Sequence, residues 1–137
     1  MIHPMGEGQG WSYGQNLWRR WMMAHSMPKP GGKLPPPQFV ASSSRAYEEM
    51  KNANEANQIL HIDRYLDLGL RIDYWWMDAG WYVQQQGWPQ VGTWEVDRTR
   101  FPRGFAPISK HAHERGVKIL VWFEPERVAP GTWLAEN

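Results

Sequence analysis

Gly69-Leu70-Arg71-Ile72 and Gly116-Val117-Lys118-Ile119 are one four-residue pattern met twice, and it constrains the fold more than any other feature of the chain. Each copy follows a stretch with helical periodicity and leads into an apolar run that stops at carboxylates. In the first copy the run is LRIDYWWMD, ending at Asp78. In the second it is VKILVWF, followed by EPER with Glu124 and Glu126. Near-continuous apolar strands entered through helices are what a buried parallel sheet requires, since both of its faces are covered. Ligands in such sheets bind beyond the carboxyl ends of the strands, as does the chemistry of closed (β/α)8 barrels. Both acidic clusters fall at that end.

The helices carry their own punctuation. Ahead of the first strand of the repeat, Ala56, Ile59, Leu60, Ile62 and Leu66 form a broad apolar stripe. Asn54 is suited to its N-cap and Gly69 to its C-terminal stop. The second helix, within FAPISKHAHERG, places Phe105, Ile108 and Ala112 on one face, tolerates Pro107 in its first turn and stops at Gly116. QFVASSS, apolar and then small and polar, reads as an earlier strand opening into a loop. The repeat glycines stand 47 residues apart, against roughly 31 per unit in a ~250-residue barrel. The excess is the segment 83–104, long enough to be a functional loop, and it carries Trp88 and Trp94 towards the same mouth.

Residues 1–26 include the aromatic and basic segment GQNLWRRWMMAHS, whose apolar residues show no clean period, and are expected to be the tail of an upstream domain. Residues 27–37, MPKPGGKLPPP, hold five prolines and a glycine pair, and read as a linker. Residues 38–137 are the α/β part.

Charge narrows the partners. With 15 Lys+Arg against 14 Asp+Glu the chain lacks the basic footprint of a nucleic-acid binder. No run of about 18 apolar residues marks a transmembrane helix, so neither nucleic acid nor membrane is an expected partner. The absence of cysteine excludes disulfides and a thiol nucleophile. MIHPMGEGQG lacks the charged and apolar regions of a secretory signal, and the compartment stays open. Tryptophan is abundant, 10 of 137 residues; its flat apolar face and single N–H suit a sugar ring as well as a core.

Carboxylates and aromatics at a strand-end mouth point to carbohydrate, since sugar hydroxyls donate to carboxylates while the ring face lies on Trp. Asp78, Glu124 and Glu126 are the acids in such positions. The competing readings are structural pairing with Arg71, Arg127 or loop amides, and binding of a hard cation. His111 and His113 are two apart on a helix and do not share a face, which argues against ligation; no metal or other cofactor is expected. Neither a phosphate-binding glycine loop nor a Gly-x-Ser-x-Gly elbow occurs.

WWMDAGWY, followed by GTWEVDRTRFPRGFAPISKHAHERGVKILVWFEPERV, resembles the N-terminal part of the catalytic barrel of family 36 glycoside hydrolases, the melibiase-type α-galactosidases. Three blocks arrive in the family's order: Asp-x-Gly-Trp, then Gly-x-Trp with Phe-Pro-x-Gly, then Trp-Phe-Glu-Pro-Glu. The resemblance covers roughly residues 60–134. It implies a partial (β/α)8 barrel of about three units, with QFVASSS as its first strand and residues 1–26 leading out of a β-sandwich. It also implies an α-galactoside as the carbohydrate substrate, with Asp78 gripping sugar hydroxyls and Trp94 bounding the glycone pocket. Trp81, Glu124 and Glu126 join the substrate-binding candidates.

Two departures qualify the likeness. Ala79 stands where the family's Asp-Asp-Gly-Trp has a second acid, which removes a hydroxyl anchor and weakens discrimination at the sugar's C4 or C6. The family's nucleophile and acid/base, on the fourth and sixth strands, have no counterpart here and are expected C-terminal to Asn137. The expectation is therefore a fragment of a retaining α-galactosidase, inactive alone, with exposed apolar faces and an unpaired edge that leave it poorly stable. The alternatives are a galactosyl transferase of the raffinose-synthase type, and a sugar-binding module without catalysis.

Overall fold

The computed structural model describes residue 6, residues 10–48 and residues 50–137. The chain forms two compact units, Met1–Pro37 and Gln38–Asn137. In the first unit Trp11–His25 is a helix, α1, where the sequence showed no clean period. Its order comes from aromatic neighbours on one face: Trp18 stacks on Trp21 at 5.2 Å between ring centroids, and Trp21 meets His25 one turn on. No described helix is long and apolar enough to cross a membrane.

The second unit is a mixed α/β structure around a small parallel sheet. Its elements run β1 (Val40–Ala41), α2 (Glu55–Asp67), β2 (Tyr74–Met77), α3 (Ala106–Glu114), β3 (Lys118–Val121) and a short α4 (Trp133–Glu136). The sheet order is β1-β2-β3, both pairings parallel. Tyr74 pairs with Val40 on one side and Lys118 on the other, so the strands of the two repeat copies are neighbours, with Trp75 rather than Ile72 opposite Ile119. The repeated glycines do the same work in each: Gly69 (φ +76°) and Gly116 (φ +77°) take the left-handed conformation that turns helix into strand.

Asn54 caps α2 through a reciprocal box with Asn57, each side-chain oxygen accepting the other's backbone N–H. The stripe expected on α2 is corrected in part. Ile62 is fully buried, but Ala56 and Leu60 are exposed, and the inward position between them is taken by Gln58. Gln58 fits there because the core offers partners: its Oε1 accepts from Trp75 Nε1 at 3.0 Å and its Nε2 donates to Ser43 Oγ at 2.9 Å. On α3, Ile108 and Ala112 are buried as the period requires, with Phe105 just ahead of them packed against the core.

α2 and α3 pack on each other and cover one face of the sheet, carrying Trp75, Met77, Ile119 and Val121. The other face, with Val40, Tyr74, Trp76, Lys118 and Leu120, is only partly covered; Leu120 is 42% exposed. The apolar strands thus have one helical layer where a sheet buried on both faces would have two. Both crossovers lie on the same side, as they must when successive parallel strands are neighbours and share a hand.

Segment 83–104 is tied at its base. Tyr82 bridges Val96 in antiparallel fashion, and Val83 N–H donates to Glu95 O. The Tyr82 hydroxyl donates to the Trp88 carbonyl inside the loop. Burial pushes that phenol up to about 12, with Glu124 and Asp78 adding in the same direction, so it keeps its proton and its bond.

Candidate functional site

Asp78 follows the last residue of β2 and stands half-buried at the carboxyl end of the sheet. Neutral donors hold it: Oδ2 accepts from Ser44 Oγ at 2.6 Å and Oδ1 from the Ala79 N–H at 2.8 Å. Ser44 opens the single turn after β1, where Ser42 Oγ accepts its backbone N–H and touches its hydroxyl. Two strand ends therefore converge on one carboxylate. Arg71, a candidate partner from the sequence, reaches Asp73 instead. With one donor on each oxygen, Asp78 retains acceptor capacity for a ligand.

Beside it lies a pocket of about 740 Å³. Ser42, Ser44 and Arg45 supply hydroxyls and a cation, and Tyr65, Trp88 and Trp122 supply aromatic surface. His61 also lines it, its ring stacked on Trp75 and its Nε2 3.0 Å from the Tyr47 hydroxyl. Burial, with the nearby Arg64 cation, holds the His61 imidazole below its usual range and favours the neutral ring. Hydroxyl, carboxylate and aromatic groups around one cavity match a polyhydroxylated ring with an apolar face.

The remaining sequence candidates sit elsewhere. Trp81 is 2% exposed and spends its N–H on the Trp122 carbonyl at 3.0 Å, within a cluster that includes Tyr82, Trp94, Phe105 and Phe123. Trp94 packs edge-on against Tyr82 and Trp122 and borders a second groove with Thr93, Glu95 and Trp133. Glu124 is committed to Arg127 through two bonds, 2.6 Å from Nε and 2.7 Å from Nη2. Arg127 in turn lies 5.2 Å over the Trp88 ring. Glu126 is exposed.

The structure adds residues that motif reading passed over. Ser44 and Trp122 lie in segments singled out for other reasons, QFVASSS as a strand and WFEPE as a family block. Their signal was position, directly after a strand, where side chains reach the mouth. Among the described residues no three His, Asp or Glu side chains gather as metal ligands.

The chain is 30% identical over 106 residues to α-galactosidase 2 of Pediococcus pentosaceus, covering 76% of this chain and 14% of that protein. It is 32% identical over 69 residues to α-galactosidase Mel36A of Lactobacillus acidophilus, covering 50% and 9%. The chain thus spans about a seventh or less of these relatives. Its fold is similar to that of a variant of the family 36 α-galactosidase AgaA from Geobacillus stearothermophilus solved with raffinose. The TM-score is 0.62 at 22% identity, over 73% of this chain and 14% of that one. A wild-type AgaA structure and that of AgaB from the same organism give 0.59 and 0.60. The Melibiase family model matches residues 45–137, which begin just after Ser44 and take in the whole of α2, β2, α3 and β3 with Asp78 between the two strands. By that match, the chain belongs to the melibiase family.

Proposed function

We propose that this chain is the opening part of the catalytic barrel of a retaining α-galactosidase, and that the intact protein hydrolyses terminal α-galactosides. The observation that carries the reading is the Asp78 carboxylate, fixed by neutral donors at the end of a parallel strand and facing a hydroxyl- and aromatic-lined pocket. A carboxylate so placed orients a sugar by its hydroxyls without performing the chemistry. Structures of AgaA variants with raffinose and stachyose support a carbohydrate substrate.

β1, β2 and β3 are the first three strands of a (β/α)8 barrel on this reading, with α2 and α3 in its outer ring. The partly exposed face bearing Val40, Trp76 and Leu120 is the face that further strands would cover. Trp76 Nε1, the buried side-chain donor without a partner among the described residues, belongs to a residue on that face. Double displacement needs two carboxylates about 5–5.5 Å apart, and these lie C-terminal to Asn137. Residues 1–26 lead out of an upstream domain and 27–37 link it to the barrel. Asp78 anchors the glycone; Trp94, which borders the neighbouring groove, acts on the pocket through its packing against Trp122, one of the pocket's walls. Trp81 acts through packing, and Glu124 and Glu126 through the surrounding polar network.

The test is to express the intact protein and assay aryl α-galactoside, α-glucoside and α-N-acetylgalactosaminide side by side. Cleavage of the galactoside, lost or greatly weakened in Asp78→Ala with the fold intact, is the expected result. Failure to cleave any of the three would overturn the reading.

A further inference from the structure

Arg100 is the most heavily bonded side chain of the described structure, and no motif assigns it a role. Its guanidinium has five N–H donors, and all five are used. Nε donates to Asp97 Oδ2 at 2.8 Å, and Nη1 to the Met50 and Ala53 carbonyls at 2.9 and 3.1 Å. Nη2 donates to the Gly80 and Tyr82 carbonyls at 2.6 and 3.3 Å. The side chain is 15% exposed, so water competes for few of these bonds. Its own backbone carbonyl accepts the Glu55 N–H at the start of α2.

The acceptors belong to three separate segments. Met50 and Ala53 lie between β1 and α2, downstream of Ser44. Gly80 and Tyr82 lie two and four residues after Asp78. Asp97 belongs to the long loop. Met50 is held at φ +71°, a conformation uncommon for a side chain of its size, so the segment needs outside restraint to keep that shape. The Asp78 carboxylate is bonded to Ser44 from the first segment and to the Ala79 N–H from the second. Arg100 fixes the spacing of the two segments from behind.

We propose that Arg100 is a positioning residue for Asp78, acting as a clasp that sets the carboxylate's place relative to Ser44 and the pocket. The inference rests on the reading that Asp78 binds the glycone. Lysine keeps the charge beside Asp97 but brings one ammonium with three donors, which cannot serve Asp97 and both pairs of carbonyls. Arg100→Lys should therefore release one segment while leaving the core packed.

The experiment is a double-mutant cycle on the intact protein with an aryl α-galactoside: wild type, Arg100→Lys, Asp78→Ala and both together. Arg100→Lys should raise KM by about tenfold with kcat within about twofold, as expected when binding geometry is lost but chemistry is not. Adding it to Asp78→Ala should change kcat/KM little, because nothing remains to be positioned. A merely structural Arg100 would lower the folded fraction and the maximal rate, leave KM alone and give additive effects; that pattern overturns the proposal. If Asp78→Ala itself leaves KM and kcat unchanged, the glycone reading fails. Hydrogen exchange of residues 79–82 then decides the clasp, and exchange no faster in Arg100→Lys than in wild type overturns it. Should Arg100→Lys not fold, Asp97→Asn loosens the same guanidinium and must shift KM in the same direction.

Discussion

Ser44 Oγ lies 2.6 Å from Asp78 Oδ2, which ties the turn after β1 to the carboxylate after β2. A hydrogen bond to a charged group contributes about 1.5–3 kcal/mol. Asp78 is only half-buried and keeps its bond from the Ala79 N–H, so the loss in Ser44→Ala should be nearer 1 kcal/mol, about fivefold in KM. Initial-rate kinetics on the intact protein measure this. Ser44→Thr, which retains the hydroxyl, should recover most of the affinity, whereas equal effects of the two changes would assign the loss to shape.

Gln58 yields a prediction about stability. It is fully buried, and its amide joins Trp75 Nε1 to Ser43 Oγ. Gln58→Leu fills the space but strands the indole N–H and leaves the serine hydroxyl only the weak acceptor Met50 Sδ at 3.7 Å, at about 1–3 kcal/mol for a buried group left unpaired. Thermal and urea unfolding should show a loss of at least 2 kcal/mol, within that range. An unchanged midpoint would mean that water reaches both groups.

Tyr82 predicts an alkaline limit. Its phenol is pushed up to about 12 in the folded protein from an ordinary value of 10.0. As pH rises past 10.0 the unfolded chain releases this proton first, so stability falls until the folded phenol also ionises near 12. Below 10.0 the group contributes no pH dependence. Tyr82→Phe should be flatter than wild type between pH 10 and 12 by at most about 2–3 kcal/mol, read as the difference between two stability profiles. Parallel profiles would show that the phenol is already solvated.

The sequence made the parallel order of the sheet legible because Gly69 and Gly116 punctuate two units of equal grammar, and glycine is what a left-handed turn needs. Asn54 and Asp78 were legible for similarly local reasons, a cap and a strand end. Leu60 and Gln58 were not, since periodicity assigns an inward position to the apolar residue, and only the partner on β2 reveals why an amide belongs there. Ser44 and Arg100 escaped notice because Asp78 lies 34 residues from the one and the carbonyls served by the other lie 18 to 50 residues away along the chain. No spacing rule spans such distances. The single helical layer was hidden for another reason: an apolar strand reads alike whether one face or both are covered.

Glu124 carries the last prediction, because its position after β3 suggested a ligand contact while its geometry assigns it a different task. Both oxygens are engaged by Arg127, which lies over Trp88, and Trp88 borders the Asp78 pocket. On the proposed function, the carboxylate would act on the pocket through the guanidinium and the ring. Glu124→Gln should therefore weaken substrate binding by about threefold, the scale of a partly exposed cation–π contact, and leave kcat unchanged. In a Trp88→Ala background the same change should have no further effect on KM, because the ring through which it acts is gone. Arg127 is exposed enough for salt to screen the pair, so raising ionic strength should move wild-type KM towards the Glu124→Gln value and leave the variant unmoved. A loss of a hundredfold or more, insensitive to salt and to Trp88, would instead make Glu124 a direct contact of the sugar.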